Sequence, residues 1–296
     1  MKRSSGIIVA VIVLLAVAAW LVLQRPGESS VEAGDATMLV TYDSAAVDKL
    51  VISGAQGTVA FEQQAGRWMM LQPMKYQADE SAVTTAIGKG RSIALASLVS
   101  SNPDKQSLFQ LDSAGTLIHV FERGVEKALF RIGKPSTSYQ ETYVRAEGSN
   151  DVFLTHELLS TVFSKSVKDW RDKTIFKRNP HSIRNVGYRF GDTTFVLAFR
   201  DSVWKVDEKL ASQPAVQPLL NALANLQGDE FVDTLVTTPP KLAATIVVDG
   251  VEILFYQAPG AAKFLVQSST SPQWFEVQQW KAQQILKRRL ELLPPS

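Results

Sequence analysis

The hydrophobic pattern begins with one unbroken block. Residues 7–23 are all Ile, Val, Leu, Ala or Trp, and Lys2 and Arg3 precede them. An α-helix of that length covers about 25 Å, a little short of a ~30 Å hydrocarbon core, and Gly6, Gln24 and an interfacial Trp20 extend its reach. A soluble helix would carry a polar face, and this block has none. It predicts a transmembrane signal anchor at residues 6–24 behind a short cytoplasmic tail at 1–5. The competing reading is a cleaved signal peptide, since Ala16-Val17-Ala18 resembles a cleavage site. The apolar run continues through Leu23, beyond the length such signals need, which favours the uncleaved anchor. Lys2 and Arg3 against the single Arg25 keep the tail in the cytoplasm and put the remainder beyond the inner membrane, in a periplasm or its equivalent.

Residues 25–38 are rich in Pro, Gly, Ser, Glu and Asp and predict a flexible tether. Beyond them an order of elements occurs twice. Residues 50–52, 58–62 and 68–71 form three short β-patterned runs, and 186–190, 193–199 and 204–206 do the same, with Trp68 and Trp204 in equivalent places. Each triplet leads into a helical stripe. Asp79 caps the first, where Val83, Ala86, Ile87, Gly90, Ala94 and Leu98 recur every three or four residues. Gly88 and Gly90 each cost such a helix about 1 kcal/mol relative to Ala. Ser212 caps the second, with Val216, Leu219, Leu220, Leu223 and Leu226; Pro214 suits its first turn, whereas Pro218 requires a bend or a late start.

Four more runs follow in each half, at 116–121, 127–132, 142–146 and 151–154, then at 244–248, 251–256, 263–267 and 273–277. Asp249-Gly250 is a strong two-residue hairpin signal. Helices at 157–164 and 279–293 close the halves, the second stopped by Pro294-Pro295. The short connections require antiparallel pairing. The prediction is therefore an α+β chain. Two tandem repeats, residues 39–164 and 183–296, each form a mostly antiparallel sheet with helices packed on one face, after one N-terminal transmembrane helix.

Composition changes this picture little. With 45% hydrophobic and 20% charged residues among 296, the chain can form a substantial core. A net charge of +2 gives no bias toward nucleic acid. The absence of cysteine excludes disulfides, thiolate metal sites, thiol catalysis and a lipidated-cysteine anchor. One charge anomaly stands out in the connector, residues 165–182, and just beyond it. Lys165, Lys168, Arg171, Lys173, Lys177, Arg178, Arg184 and Arg189 face only Asp169 and Asp172. Such a run is either a solvated linker or a contact for an anionic ligand such as lipid headgroups, a polyanionic glycan or an acidic protein face. The residues that would make that contact are Lys168, Trp170, Arg171, Lys173, Lys177 and Arg178, with Trp170 as an anchor or as a plug between the repeats.

Catalytic patterns are missing. His119, His156 and His181 form no metal-ligand spacing. Gly133-Lys134-Pro135-Ser136 fails as a phosphate loop, because residue 128 is Ala and Pro135 stands where Ser or Thr belongs; no Gly-x-Ser-x-Gly occurs. Scattered carboxylates allow a glycosidase pair without pointing to one. Trp68, Trp204, Trp274 and Trp280 read as core aromatics. No catalytic residue, cofactor or metal is assigned, and the chain does not read as an enzyme.

Trp68, Pro73, Tyr76, Ala78-Asp79 and Val83, then Phe109-x-Leu111-Asp112, and farther on Trp170-Arg171-Asp172-Lys173, resemble the bacterial domain of unknown function 4340 family. Trp204 and Ala215-Val216 continue the resemblance in the second half. The family's usual Gly before the Leu-Asp pair is Gln110 here. The resemblance implies an envelope protein with one N-terminal membrane segment and no catalytic residues to carry over. It also implies an accessory role beside an ABC-2-type export system whose permease and ATPase are separate chains. The alternatives are a periplasmic protein that binds a glycan or lipid between its repeats, or a cell-wall hydrolase.

Overall fold

The structure, a computed structural model, describes residues 37–234 and 236–295. The expected membrane anchor at 6–24 lies outside those residues. Among the described residues no helix is long and apolar enough to cross a membrane.

The first half runs β1 (Val47–Gly54), β2 (Gly57–Gln64), β3 (Arg67–Gln72), β4 (Tyr76–Gln77), α1 (Glu80–Arg91), β5 (Leu98–Ser100), β6 (Thr116–Glu122), β7 (Val125–Pro135), β8 (Thr142–Ala146), β9 (Val152–Thr155) and α2 (Ser160–Phe163). A two-stranded ribbon, β10 (Thr174–Lys177) with β15 (Asn225–Gln227), lies outside the two large sheets. The second half runs β11 (Asn185–Phe190), β12 (Thr193–Arg200), β13 (Val203–Val206), β14 (Lys209–Leu210), α3 (Gln213–Ala224), then after β15, β16 (Glu230–Val232), β17 (Leu242–Val248), β18 (Val251–Tyr256), β19 (Lys263–Ser268), β20 (Ser271–Gln278) and α4 (Gln279–Ile285). Two nine-stranded antiparallel sheets result, ordered β4-β3-β2-β1-β6-β7-β8-β9-β5 and β14-β13-β12-β11-β17-β18-β19-β20-β16. The chain is thus mostly antiparallel sheet with a few helices.

Register follows the apolar alternation, since a slip of one residue would turn every inward side chain outward. Leu50 faces Phe61 and Ile52 faces Val59 across β1 and β2, and Ile246 faces Ile253 across β17 and β18. The β17–β18 turn is the expected Asp249-Gly250, both at positive φ. Asp79 caps α1 by accepting from the Ala82 N–H, and Val83, Ala86, Ile87 and Gly90 are buried. Gly90 is required there. A Cβ would lie 2.5 Å from the Tyr42 hydroxyl, which crosses α1 to donate to the Ile87 carbonyl.

Several boundaries differ from the sequence reading. α1 ends at Arg91, and Ala94 and Leu98 leave its stripe because the chain pairs elsewhere: Leu39 N–H donates to Ile93, Leu95 N–H to Thr37, Met38 bridges Ala94, and Leu98 pairs with Phe153 of β9. Thr37 and Met38, expected in the tether, therefore belong to the fold. Leu226 leaves α3 in the same way to pair in the β10–β15 ribbon. The helix expected at 157–164 shrinks to α2, since the buried Thr142 hydroxyl donates to the Glu157 carbonyl and accepts from Leu159 N–H. The helix expected at 279–293 breaks after Ile285, and a 3-10 turn, Arg289–Leu292, brings Leu292 into the core. Pro218 lies within α3 at an exposed position, where its missing N–H removes one helical bond without burying the loss in the core. Trp280 is 60% exposed, not core: Ala282 and Ile285 take the buried face of α4, and a residue two positions from Ala282 points the other way.

Candidate functional site

The connector is where the two sheets meet. After the 3-10 turn Val167–Trp170 the backbone becomes extended at Arg171. It lies along the end of β4: Asp79 N–H donates to the Trp170 carbonyl, Asp172 N–H to Gln77, and Ala78 bridges Arg171. Successive side chains of an extended segment point to opposite sides. Trp170 accordingly enters the first core, its ring 5.1 Å from that of Phe61, while Arg171 reaches toward the second sheet.

Arg171 has a side chain only 1% exposed. Its Nη1 pairs with Asp233 Oδ1 at 2.8 Å and its Nη2 donates to Gln273 Oε1 at 3.1 Å. The guanidinium carbon lies 3.8 Å from the Phe231 ring centre and 4.6 Å from that of Tyr76. A planar fork suits this arrangement, since it can share its edge between two acceptors while its face contacts rings. Tyr76 sits against both cores and meets Phe231 edge-on at 5.7 Å. Burial raises the Tyr76 hydroxyl above its ordinary range, and the Arg171 charge opposes this. Tyr76 and Phe231 sit on β4 and β16, one edge of each large sheet, so Arg171 joins the two edges.

The six residues expected to contact a partner therefore separate. Trp170 and Arg171 are interior, a correction to the surface reading: the aromatic fills the first core and the cation is neutralised and hydrogen-bonded. Lys173 is half-buried and donates to Asp169 Oδ1 and the Asp229 carbonyl. Arg178 pairs with Asp249 at 2.9 Å. Lys168 and Lys177 are exposed and have no ion pair among the described residues. Asp169 is held below the ordinary aspartate range, first by the Ser166 hydroxyl and then by Lys173.

Beside the junction a groove of about 1010 Å³ runs between α1, the connector and the second sheet. Arg67, Lys177 and Arg178 line it together with Asp79, Glu80 and Asp172, so its charge is balanced. The acidic groups are engaged locally: Asp79 caps α1, Glu80 accepts from Trp68 N–H, and Asp172 accepts from Gln77 and from Thr174 N–H. No cluster of three metal-ligating side chains occurs among the described residues. Sequence reasoning missed Phe231, Asp233 and Gln273, which have no local pattern; Tyr76 did carry a signal, as part of the run that resembles a known family.

A family model described as a domain of unknown function (DUF4340) matches residues 68–245. The chain belongs to this family. The match begins in β3 and ends in β17, so this DUF4340 segment contains Tyr76, the connector, Phe231 and Asp233, while Gln273 lies beyond it. No curated protein and no solved structure matches the chain.

Proposed function

We propose that this chain is a non-catalytic accessory or scaffolding protein, held to the inner membrane by a helix at residues 6–24. It works on the outer side, associated with an ABC-2-type export system whose permease and ATPase are separate chains. Its exported part consists of two copies of one module, 39–164 and 183–296; the corresponding strand orders of the two sheets support that duplication. The observation that carries the reading is the Arg171 junction. It commits the connector's central cation to joining one sheet edge to the other and its indole to the first core, which suits rigid support better than a hinge closing on a substrate. The apolar block at 7–23 and the family resemblance supply the membrane and transporter parts. Purification of the full chain from native membranes in mild detergent, with crosslinking, should recover a permease or ATPase. Recovery of the chain alone removes the transporter role.

A second reading, capture of a glycan or lipid between the modules, is favoured by the groove. Its test uses Arg67→Glu and Lys177→Glu, because both side chains are exposed, whereas Arg171→Glu would unfold the junction. Ligand retention by both variants argues against it.

A further inference from the structure

A second cavity, of about 190 Å³, shares no lining residue with the groove. It forms in the first half where the β1–β2 turn, the start of β6, the end of β7 and the chain leaving α2 come together. Its inner wall is apolar: Ile52, Val59, Ile132, Phe163 and Trp170 are all buried. Lys134 and Lys165 also line it, the first exposed and the second half-buried with its Nζ 5.2 Å from the Trp170 ring centre. Neither lysine has an ion pair among the described residues, and no Asp or Glu lines the cavity. The Trp170 indole N–H is buried without a hydrogen-bond partner.

We propose that this cavity binds a small organic anion, with an apolar body the size of one aromatic ring or a six-carbon chain and a carboxylate head held by Lys134 and Lys165. Two features select that chemistry together. An inorganic anion would satisfy the lysines and leave the apolar wall against water, while a neutral hydrocarbon would fill the wall and leave two unpaired cations beside it. Size sets the body: an apolar cavity of about 150 Å³ takes benzene, so this one takes a ring or its equivalent and excludes a whole lipid tail. The lysine held over an indole face is a cation already placed near the apolar wall, ready for a counter-charge.

The test is isothermal titration of the full chain, in nonionic detergent with micelle blanks subtracted, using butyrate, hexanoate, octanoate, decanoate and hexan-1-ol. Affinity should rise about fourfold per methylene from butyrate to hexanoate and level off beyond it, when the cavity is full. Hexan-1-ol should bind about tenfold more weakly than hexanoate or worse, for want of the charge-assisted contact. The double variant Lys134→Gln/Lys165→Gln should lose about tenfold in hexanoate affinity and leave hexan-1-ol unchanged. The proposal is overturned by the absence of saturable heat above the blank, by equal binding of acid and alcohol, or by an unaffected double variant. Affinity that keeps climbing through decanoate would also overturn it, since that marks partition into a surface. Copurification tests the scaffolding role and this titration does not, so either can fail alone.

Discussion

Replacing Arg171 probes the junction directly. Removing one member of a buried ion pair typically costs about 3–5 kcal/mol. Asp233 is 40% exposed and can regain water, which places this pair near the lower end. Gln273 loses a charged partner, worth about 1 kcal/mol, and the contacts with Phe231 and Tyr76 add about 0.5–1 kcal/mol each. One term has the opposite sign: Nε is buried without a partner, and its removal relieves about 1 kcal/mol. Arg171→Ala should therefore destabilise the fold by about 4–5 kcal/mol. Arg171→Met keeps the stem's packing and leaves no buried charge, so about 1–2 kcal/mol is expected. Arg171→Lys cannot reach Asp233 and Gln273 together and should cost about 2–3 kcal/mol, more than Met. Urea unfolding of the full chain, followed by tryptophan fluorescence and far-UV circular dichroism, gives the differences from the midpoints. An alanine cost below about 1 kcal/mol, or a lysine variant as stable as the parent, would refute the reasoning.

Other substitutions probe single contacts. Gly88→Ala, on an exposed turn with nothing near its Cβ, should stabilise by about 1 kcal/mol, whereas Gly90→Ala meets the Tyr42 hydroxyl and should destabilise; thermal melts of the two decide it. Asp79→Ala should cost about 1 kcal/mol by losing the Ala82 bond, and Ser212→Ala almost nothing, because Ser212 makes no capping bond; urea midpoints compare them. Gln110 sits at φ 55°, the region glycine prefers, so Gln110→Gly should keep the fold and change the melting temperature little or upward. Asp169 titrates below 3.8 in the fold, so its contribution is present above the unfolded value and lost as pH falls through the lower folded one. Carboxyl-detected NMR should show that Ser166→Ala moves this titration upward, since the Ser166 hydroxyl is its first cause.

The strands were legible because their signals are local. Residues 142–146 and 251–256 read true to the residue, and Asp249-Gly250 marked its hairpin. The shortest strands were not: β4 and β14 have two residues each, too few to show a period. Ala94, Leu98 and Leu226 kept helical spacing, yet backbone pairing with distant segments took them from their helices. That competition is tertiary and leaves no trace in the spacing. Arg171 was hidden most completely. Its acceptors stand 62 and 102 residues away, and nothing near it in the chain separates a buried cation from the exposed Lys168 and Lys177. Composition alone made the connector a basic surface.

The hydrogen bonds around the two helices explain why the junction lies where it does. In the first half Ala78 N–H donates to the Trp68 carbonyl and Asp79 N–H to Trp170; in the second, Ala211 N–H donates to Trp204 and Ser212 N–H to Leu292. Trp170 and Leu292 thus hold corresponding places, each the last residue of a 3-10 turn and each fully buried. Beyond these two turns the halves diverge. After Leu292 the chain passes to Leu293 and two prolines, which cannot donate to a neighbouring strand. After Trp170 it continues extended, and the next side chain, forced to the opposite side by backbone alternation, is Arg171. One additional residue on a turn that already closes the first core is therefore enough to reach the edge of the second sheet. The indole in the first core and the guanidinium buried at the edge of the second sheet are consequences of one backbone segment, so displacing that segment moves both. This coupling makes the connector a structural joint, with Lys168 and Lys177 as its outward charges.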